Sequence, residues 1–138
     1  MQTSAFRRWT ARILVTAVFI MNIQSALAFI LRPAGYASGF ELSGTAGLHL
    51  VRATGILFLM WNVPYPPVIL RPGRHRVLFG VIIVQQVIGL AGESWLLFGL
   101  PSGHLALAAT AARFILFDTF GLIALAGAFL LTRRGSRT

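Results

Sequence analysis

Two arginines and two carboxylates lie within long hydrophobic runs of the sequence, and these are the residues that could do chemistry: Arg52, Glu93, Arg113 and Asp118. A charge deep in a bilayer costs from about 3 to over 10 kcal/mol, so it normally faces the protein interior and has a partner. The four charges balance. They could form a buried ionic network that fixes helix register, or a ligand or proton site. The sequence leaves both interpretations open.

Helix geometry predicts how these four charges pair. Arg113 and Asp118 are separated by about 140° around a helix, so they do not face each other. With a rise of about 1.5 Å per residue, Arg113 and Glu93 lie about 12 and 8 Å below the same side of the membrane, and Asp118 lies deeper. We therefore predict that Arg113 pairs with Glu93, and that Arg52 reaches Asp118 or shares Glu93.

Further polar residues complete the candidate site. Gln86 shares a helix face with Glu93, and Asn22 lies within the first hydrophobic run. Two histidines stand near the outer ends of other runs, and histidine titrates near neutral pH. The predicted ligand-binding site or buried ionic network therefore comprises Arg52, Glu93, Arg113, Asp118, His49, His104, Gln86 and Asn22.

Metal and cofactor binding are not indicated by the sequence. The chain has no cysteine, which excludes disulfides, iron–sulfur clusters and thiolate metal sites. His49 and His104 could in principle ligate haem or a metal ion at the outer rim. No H-E-x-x-H motif or close histidine pair supports such a site, so we expect no metal and no cofactor.

The composition is that of an integral membrane protein. Of the 138 residues, 57% are hydrophobic and 11% are charged, whereas soluble domains have about 45–50% and 25%. A soluble domain of this size could not bury so much apolar surface. The net charge of +9 comes from arginines in short clusters between the hydrophobic runs. Because these arginines do not gather on one solvated face, nucleic-acid binding is not expected.

The hydrophobic runs predict four transmembrane helices, since about 20 apolar residues cross a bilayer. The predicted spans are residues 13–31, 46–63, 77–98 and 105–131. A Gly/Ser-rich loop follows the first span. The second span is expected to stop at Pro64, Pro66 and Pro67, because proline cannot continue a helix. The predicted fold is an all-α, integral membrane four-helix bundle, a single domain of residues 1–138.

The arginines also predict the orientation of the bundle. Four spans place the N-terminus, the turn before the third span and the C-terminus on one side of the membrane. That side holds Arg7, Arg8, Arg12, Arg71, Arg74, Arg76, Arg133, Arg134 and Arg137, whereas the loops of the opposite side hold Arg32. By the positive-inside rule, both termini are expected to be cytoplasmic in a multi-pass protein.

A secretory signal peptide is the alternative interpretation of the N-terminal segment. Arg7 and Arg8 precede an apolar core and the sequence Ala26-Leu27-Ala28, which resembles a cleavage site. The apolar run continues to Leu31, however, which gives a full spanning length. Cleavage would leave three spans with the C-terminus still inside, and the sequence leaves this alternative open.

The four-span layout and the stretch Arg52–Phe58 (RATGILF) near the start of the second span resemble the DoxX-like group of small bacterial four-helix membrane proteins. The resemblance covers nearly the whole chain. It implies a compact four-helix bundle in the bacterial inner membrane. Roles in the group include accessories of redox complexes, and the resemblance carries no site residue over to this chain.

Three functions are compatible with charges in the outer half of the spans. The first is binding of an amphiphile, quinone-like or lipid-like, or of a membrane partner subunit or second copy, in a polar cavity. The second is a proton-coupled transporter or relay that uses Glu93, Asp118 and the rim histidines. The third is a membrane enzyme on a lipid-like substrate, with either carboxyl as general acid or base. The sequence does not establish whether the protein is an enzyme.

Overall fold

Four long helices account for most of the computed structural model, which describes residues 2–133. The elements are α1 (Gln2–Leu31), α2 (Ala34–Ala37), a 3-10 turn (Ser38–Phe40), α3 (Gly44–Trp61), α4 (Tyr65–Leu70), α5 (Arg76–Phe98) and α6 (Leu105–Arg133). Four stretches are long and apolar enough to cross a membrane: Ala5–Leu31, Gly44–Leu70, Arg76–Phe98 and Leu105–Thr132. The predicted all-α membrane bundle is therefore confirmed.

The outward surfaces of these helices are apolar. Val77, Phe98 and Leu105 are each more than 80% exposed, and large aliphatic side chains are exposed along all four long helices. Soluble proteins rarely expose contiguous apolar patches larger than a few hundred Å². A surface that is apolar along all four helices is therefore not that of a soluble protein. A lipid-facing surface explains it, so the chain is a multi-pass membrane protein.

The first helix of the second span ends at Trp61, before the proline-rich segment, and a short second helix follows the turn. The helix α3 stops at Trp61, and α4 begins at Tyr65 with Pro66 and Pro67 in its first turn. Proline is tolerated there because the first N–H groups of a helix have no intrahelical acceptor. The stretch that is long and apolar enough to cross a membrane extends through α4 to Leu70.

The helices form an open arc in the order α3, α1, α6, α5. The helix α1 packs against α3, α4 and α6, and α5 packs against α6 and α4, whereas α3 and α5 scarcely approach each other in the described part of the chain. A methyl group at Gly55 of α3 would lie 2.7 Å from the Ala26 main-chain oxygen. Glycine at this position thus permits the close crossing of α3 and α1.

A hydrophobic core closes the end of the bundle that holds the Arg71–Arg76 turn. Val15 of α1, Tyr65 of α4, Phe79 and Ile82 of α5 and Leu125 of α6 are fully buried there. A second cluster around Phe29 and Val51 lies toward the other end. The space that the helices leave between them is therefore closed by apolar packing at the end of the Arg71–Arg76 turn, and the second cluster contributes to its lining.

Candidate functional site

A cavity of about 520 Å³ lies between the four long helices. All four contribute to its lining, together with the connection between α1 and α3, which includes Tyr36 and Phe40. The volume falls in the range of about 300–1,000 Å³ that is usual for small-molecule sites. This cavity is the candidate functional site.

One polar pair on its wall joins α5 to α6. The side-chain amide of Gln86 donates a hydrogen bond to Asp118 Oδ1 at 2.9 Å and approaches the Asp118 main-chain oxygen at 3.2 Å. Gln86 is 3% exposed, and Asp118 is half-buried. A hydrogen bond to a carboxylate is stronger than one between neutral groups. The pair therefore fixes how α5 and α6 face each other.

Two glycines make the space for this pair. A methyl group at Gly89 would lie 2.9 Å from Asp118 Oδ2, and one at Gly121 would lie 2.8 Å from Gln86 Nε2. Real Cβ atoms essentially never come so close to a neighbour. Each polar side chain thus lies against a glycine of the facing helix, which is the role of small residues in membrane helix packing.

A second polar group joins α1 to α3 and α4. Asn22 Nδ2 donates to Asn62 Oδ1 at 3.1 Å and lies 3.3 Å from Tyr65 Oη. Asn62 Nδ2 donates to the Phe58 main-chain oxygen at 2.7 Å. Asn62 is 3% exposed, and Tyr65 is fully buried. Buried polar groups without partners are costly in hydrocarbon, so these bonds stabilise the α1–α3–α4 contact.

Aromatic rings form the other part of the wall. The ring of Phe29 lies 4.8 Å from that of Tyr36 and 5.7 Å from those of Phe40 and Phe58, measured between centroids, and 6.2 Å from Phe114. These separations fall within the range for favourable aromatic contacts. The cavity thus combines polar groups from the middle of the bundle with an aromatic wall beneath the α1–α3 connection.

The side of the cavity between α3 and α5 lacks close helix packing. Phe58 and Trp61 of α3 and Gly89 and Glu93 of α5 line the cavity, yet these two helices scarcely approach each other within the described residues. The cavity is therefore bounded on this side by side chains alone. Both helices are long and apolar enough to cross a membrane, so this side of the cavity lies at membrane depth.

The two ion pairs predicted for the buried charges are not formed in the structure. Among the described residues, a side-chain nitrogen and a carboxylate oxygen lie within 4.0 Å of each other in the pair His104–Glu41. Arg113 and Glu93 do not approach so closely, and neither do Arg52 and Asp118. Arg113, Glu93 and Asp118 do line the cavity. The carboxylate of Asp118 is bound by an amide of α5 rather than by an arginine.

Arg52 and His49 lie outside the cavity, which also corrects the prediction. Both are exposed, whereas Val51, next to Arg52, is buried against the Phe29 cluster. Adjacent residues of a helix point about 100° apart, so a buried Val51 turns Arg52 outward. Long basic side chains at such positions reach the polar interface by extending along the helix.

His104 serves a different contact from the one predicted. Its Nδ1 lies 2.5 Å from Glu41 Oε2, and the Leu107 amide donates to Glu41 Oε1 at 3.3 Å. The histidine hydrogen bond, with smaller contributions from main-chain N–H groups of α6, lowers the pKa of the Glu41 carboxyl. Thr110 Oγ1 donates to the Gly39 main-chain oxygen at 2.6 Å. Together these contacts hold the α1–α3 connection against the start of α6.

Five of the eight predicted residues therefore come together at the cavity: Asn22, Gln86, Glu93, Arg113 and Asp118. Sequence reasoning missed Asn62 and Tyr65. Asn62 lies one residue before the end of the predicted second span, and Tyr65 lies among the prolines that follow it, so neither position by itself indicates a buried site. One indication of these two residues was present in the sequence. Asn22 lies within a predicted span, and a buried side-chain amide requires a hydrogen-bond partner.

The described residues contain no group of three or more histidine, aspartate and glutamate side chains that could hold a metal ion. The cavity lining is instead suited to hydrogen bonding and ring stacking. No protein-family model, curated protein or solved structure matches the chain. The functional argument therefore rests on the cavity.

Proposed function

We propose that the protein binds an amphiphilic molecule, quinone-like or lipid-like, in the cavity between its four helices. The observation that carries the proposal is the division of the lining into polar groups (Gln86, Asp118, Asn22) and aromatic rings (Phe29, Phe114). A polar or carbonyl head would meet the first set, and a ring or tail would meet the second. The side between α3 and α5 is the route by which such a molecule would enter from lipid.

Arg113 is the residue best suited to recognise the head. It lines the cavity, it is exposed, and it has no acidic partner within 4.0 Å among the described residues. A guanidinium offers five N–H donors and no acceptor. A carbonyl or anionic oxygen would thus receive a charge-assisted hydrogen bond, and such bonds contribute about 1.5–3 kcal/mol.

The tryptophans of the chain provide a direct test. Trp61 lines the cavity, whereas Trp9 and Trp95 are 60% and 75% exposed and lie outside it. A Trp9→Phe/Trp95→Phe variant leaves Trp61 as the reporter. We expect decylubiquinone, which quenches tryptophan at short range, to give saturable quenching in this background. Quenching that rises linearly with quinone concentration would show partition into detergent or lipid and would contradict a quinone site.

Substitution of two arginines, one inside the cavity and one outside it, provides a matched comparison of quinone binding. Arg113→Gln should weaken quinone binding by at least about tenfold, the equivalent of one charge-assisted hydrogen bond. Arg52→Gln removes the same charge from an exposed position outside the cavity and should leave binding unchanged. Mass spectrometry of molecules extracted from gently purified protein distinguishes a lipid-like occupant from a quinone-like one. An empty cavity in every lipid environment tested would contradict the proposal.

Proton-coupled transport is the second candidate, because Glu93 and Asp118 both line the cavity with no basic partner within 4.0 Å among the described residues. The tightly buried apolar core around Val15, Phe79 and Leu125 argues against a continuous water path to the other side. In proteoliposomes containing a trapped pH-sensitive dye, we therefore expect no protein-dependent proton flux. A flux that Asp118→Asn abolishes would reverse this preference.

The finer localisation is also a proposal. We infer that the protein lies in the bacterial cytoplasmic membrane with both termini in the cytoplasm, and that it belongs with the DoxX-like group. The arginine distribution supports the orientation, and the four-span layout supports the group. Of the arginines that carry the orientation, Arg134 and Arg137 lie outside the described residues.

A further inference from the structure

A second cavity, of about 440 Å³, lies at the end of the bundle opposite the α1–α3 connection. The first turns of the membrane-spanning part of α1 form one side, with Arg8, Trp9 and Arg12. The turn between α4 and α5 forms the other, over residues 70–74. It shares no described lining residue with the cavity of the proposed function.

The lining of this second cavity is strongly cationic. Arg8, Arg12, Arg71 and Arg74 all contribute to it, and the described lining contains no acidic residue. The three acidic residues of the chain lie elsewhere, two in the first cavity and one against α6. Four guanidinium groups around one space repel one another, so an anion that enters the space lowers the free energy of the folded protein.

The rim of this cavity is apolar and lies at the membrane surface. Trp9 is 60% exposed and Leu70 is 65% exposed. The Arg12 guanidinium lies over the Trp9 ring, 4.7 Å from its centroid. These residues stand at the ends of the stretches Ala5–Leu31 and Gly44–Leu70, which are apolar enough to span a bilayer. Tryptophan at such a position is typical of the headgroup region of the membrane.

We propose that this second cavity binds the phosphate groups of an anionic phospholipid, with a headgroup that carries two phosphates preferred over one that carries a single phosphate. Guanidinium pairs with phosphate through two parallel hydrogen bonds, and four arginines provide enough donors for two phosphates. The apolar rim at Trp9 and Leu70 accommodates the start of the acyl chains. This site is independent of the amphiphile site between the helices.

Gly73 gives a test that leaves every arginine in place. It lines the cavity, and a methyl group there would meet nothing within 4 Å, so the first atom of a new side chain has room. Gly73→Glu places a negative charge beside the arginines, and Gly73→Gln is its uncharged match in size. In native mass spectrometry from micelles containing cardiolipin and phosphatidylcholine, we expect wild type and Gly73→Gln to retain cardiolipin selectively. Gly73→Glu should lose the selectivity.

Single arginine substitutions add a graded measurement. Arg8→Gln and Arg74→Gln remove exposed side chains, and each should weaken cardiolipin binding by about fivefold. Circular dichroism and gel filtration verify that each variant is folded. Equal cardiolipin binding by Gly73→Glu and Gly73→Gln would overturn the proposal. Displacement of the lipid by millimolar inorganic pyrophosphate would also overturn it, since the site would then be one for soluble phosphates.

Discussion

The Gln86 side chain of α5 donates a 2.9 Å hydrogen bond to Asp118 Oδ1 of α6, which makes an amide, rather than an arginine, the partner of the deepest carboxyl of the cavity. The neighbouring glutamine, Gln85, has no equivalent bond: its Oε1 is buried and has no hydrogen-bond partner among the described residues. We therefore expect Gln86 to stabilise the folded protein, and the buried Gln85 acceptor to lower its stability.

Substituting these two glutamines separately tests that difference. Gln86→Leu should lower the free energy of unfolding by about 1 kcal/mol, because interhelical hydrogen bonds in membranes contribute about 0.6–1.7 kcal/mol. Gln85→Leu should be neutral or stabilising, because it removes a buried acceptor that has no donor. Thermal unfolding in one detergent compares the two. Equal losses would mean that hydrophobic packing, and not the Asp118 bond, determines the effect.

The contact of Gly89 with Asp118 predicts a second pair of variants. Gly89→Ala adds a methyl group 2.9 Å from Asp118 Oδ2, so the carboxylate must move away from Gln86. We expect a lower melting temperature and weaker ligand binding. Gly80→Ala, on the same helix, meets nothing within 4 Å and should raise stability by up to about 1 kcal/mol through helix propensity. A neutral Gly89→Ala would show that α5 and α6 are not closely packed there.

The Glu41–His104 pair predicts a pH dependence outside the membrane. Because the pKa of Glu41 is lowered in the folded protein, its ionised form stabilises the contact above the ordinary carboxyl pKa of about 4.3. This contribution is lost as the pH falls through the lowered value. After correction for the intrinsic pH dependence of amide exchange, the protection of residues 37–42 should therefore fall below about pH 4 in the wild type. Glu41→Gln should exchange faster at neutral pH and lose this pH dependence; unchanged profiles would contradict a role for the pair.

Much of the fold was predictable from the sequence because apolar length alone defines a membrane span. Each predicted range falls inside a spanning stretch of the structure. The rotation of each helix was harder to predict. Arg52 points outward because Val51 faces α1, and this depends on the Gly55–Ala26 crossing, which joins residues distant in sequence.

Part of the cavity lining was also predictable from the sequence. Asn22, Gln86 and Asp118 were identified because polar groups in apolar runs must face the interior. Their partners could not be identified. Asn62 lies at the end of the predicted second span and Tyr65 lies beyond it. Only the helix α4, which follows the turn, brings Tyr65 within hydrogen-bonding distance of Asn22.

The cysteine-free sequence allows the proposed orientation to be tested directly. Single cysteines at Gly73 and Ser102, both exposed, mark the α4–α5 turn and the α5–α6 turn. If the arginine-rich side is cytoplasmic, a membrane-impermeant maleimide should label Ser102→Cys in spheroplasts and label Gly73→Cys only after the membrane is permeabilised. The unmodified chain contains no thiol and provides the background. The reverse pattern would place the termini outside. It would also place the cationic cavity at the outer leaflet. The phospholipid that we propose for this cavity would then come from the outer leaflet instead of the inner one.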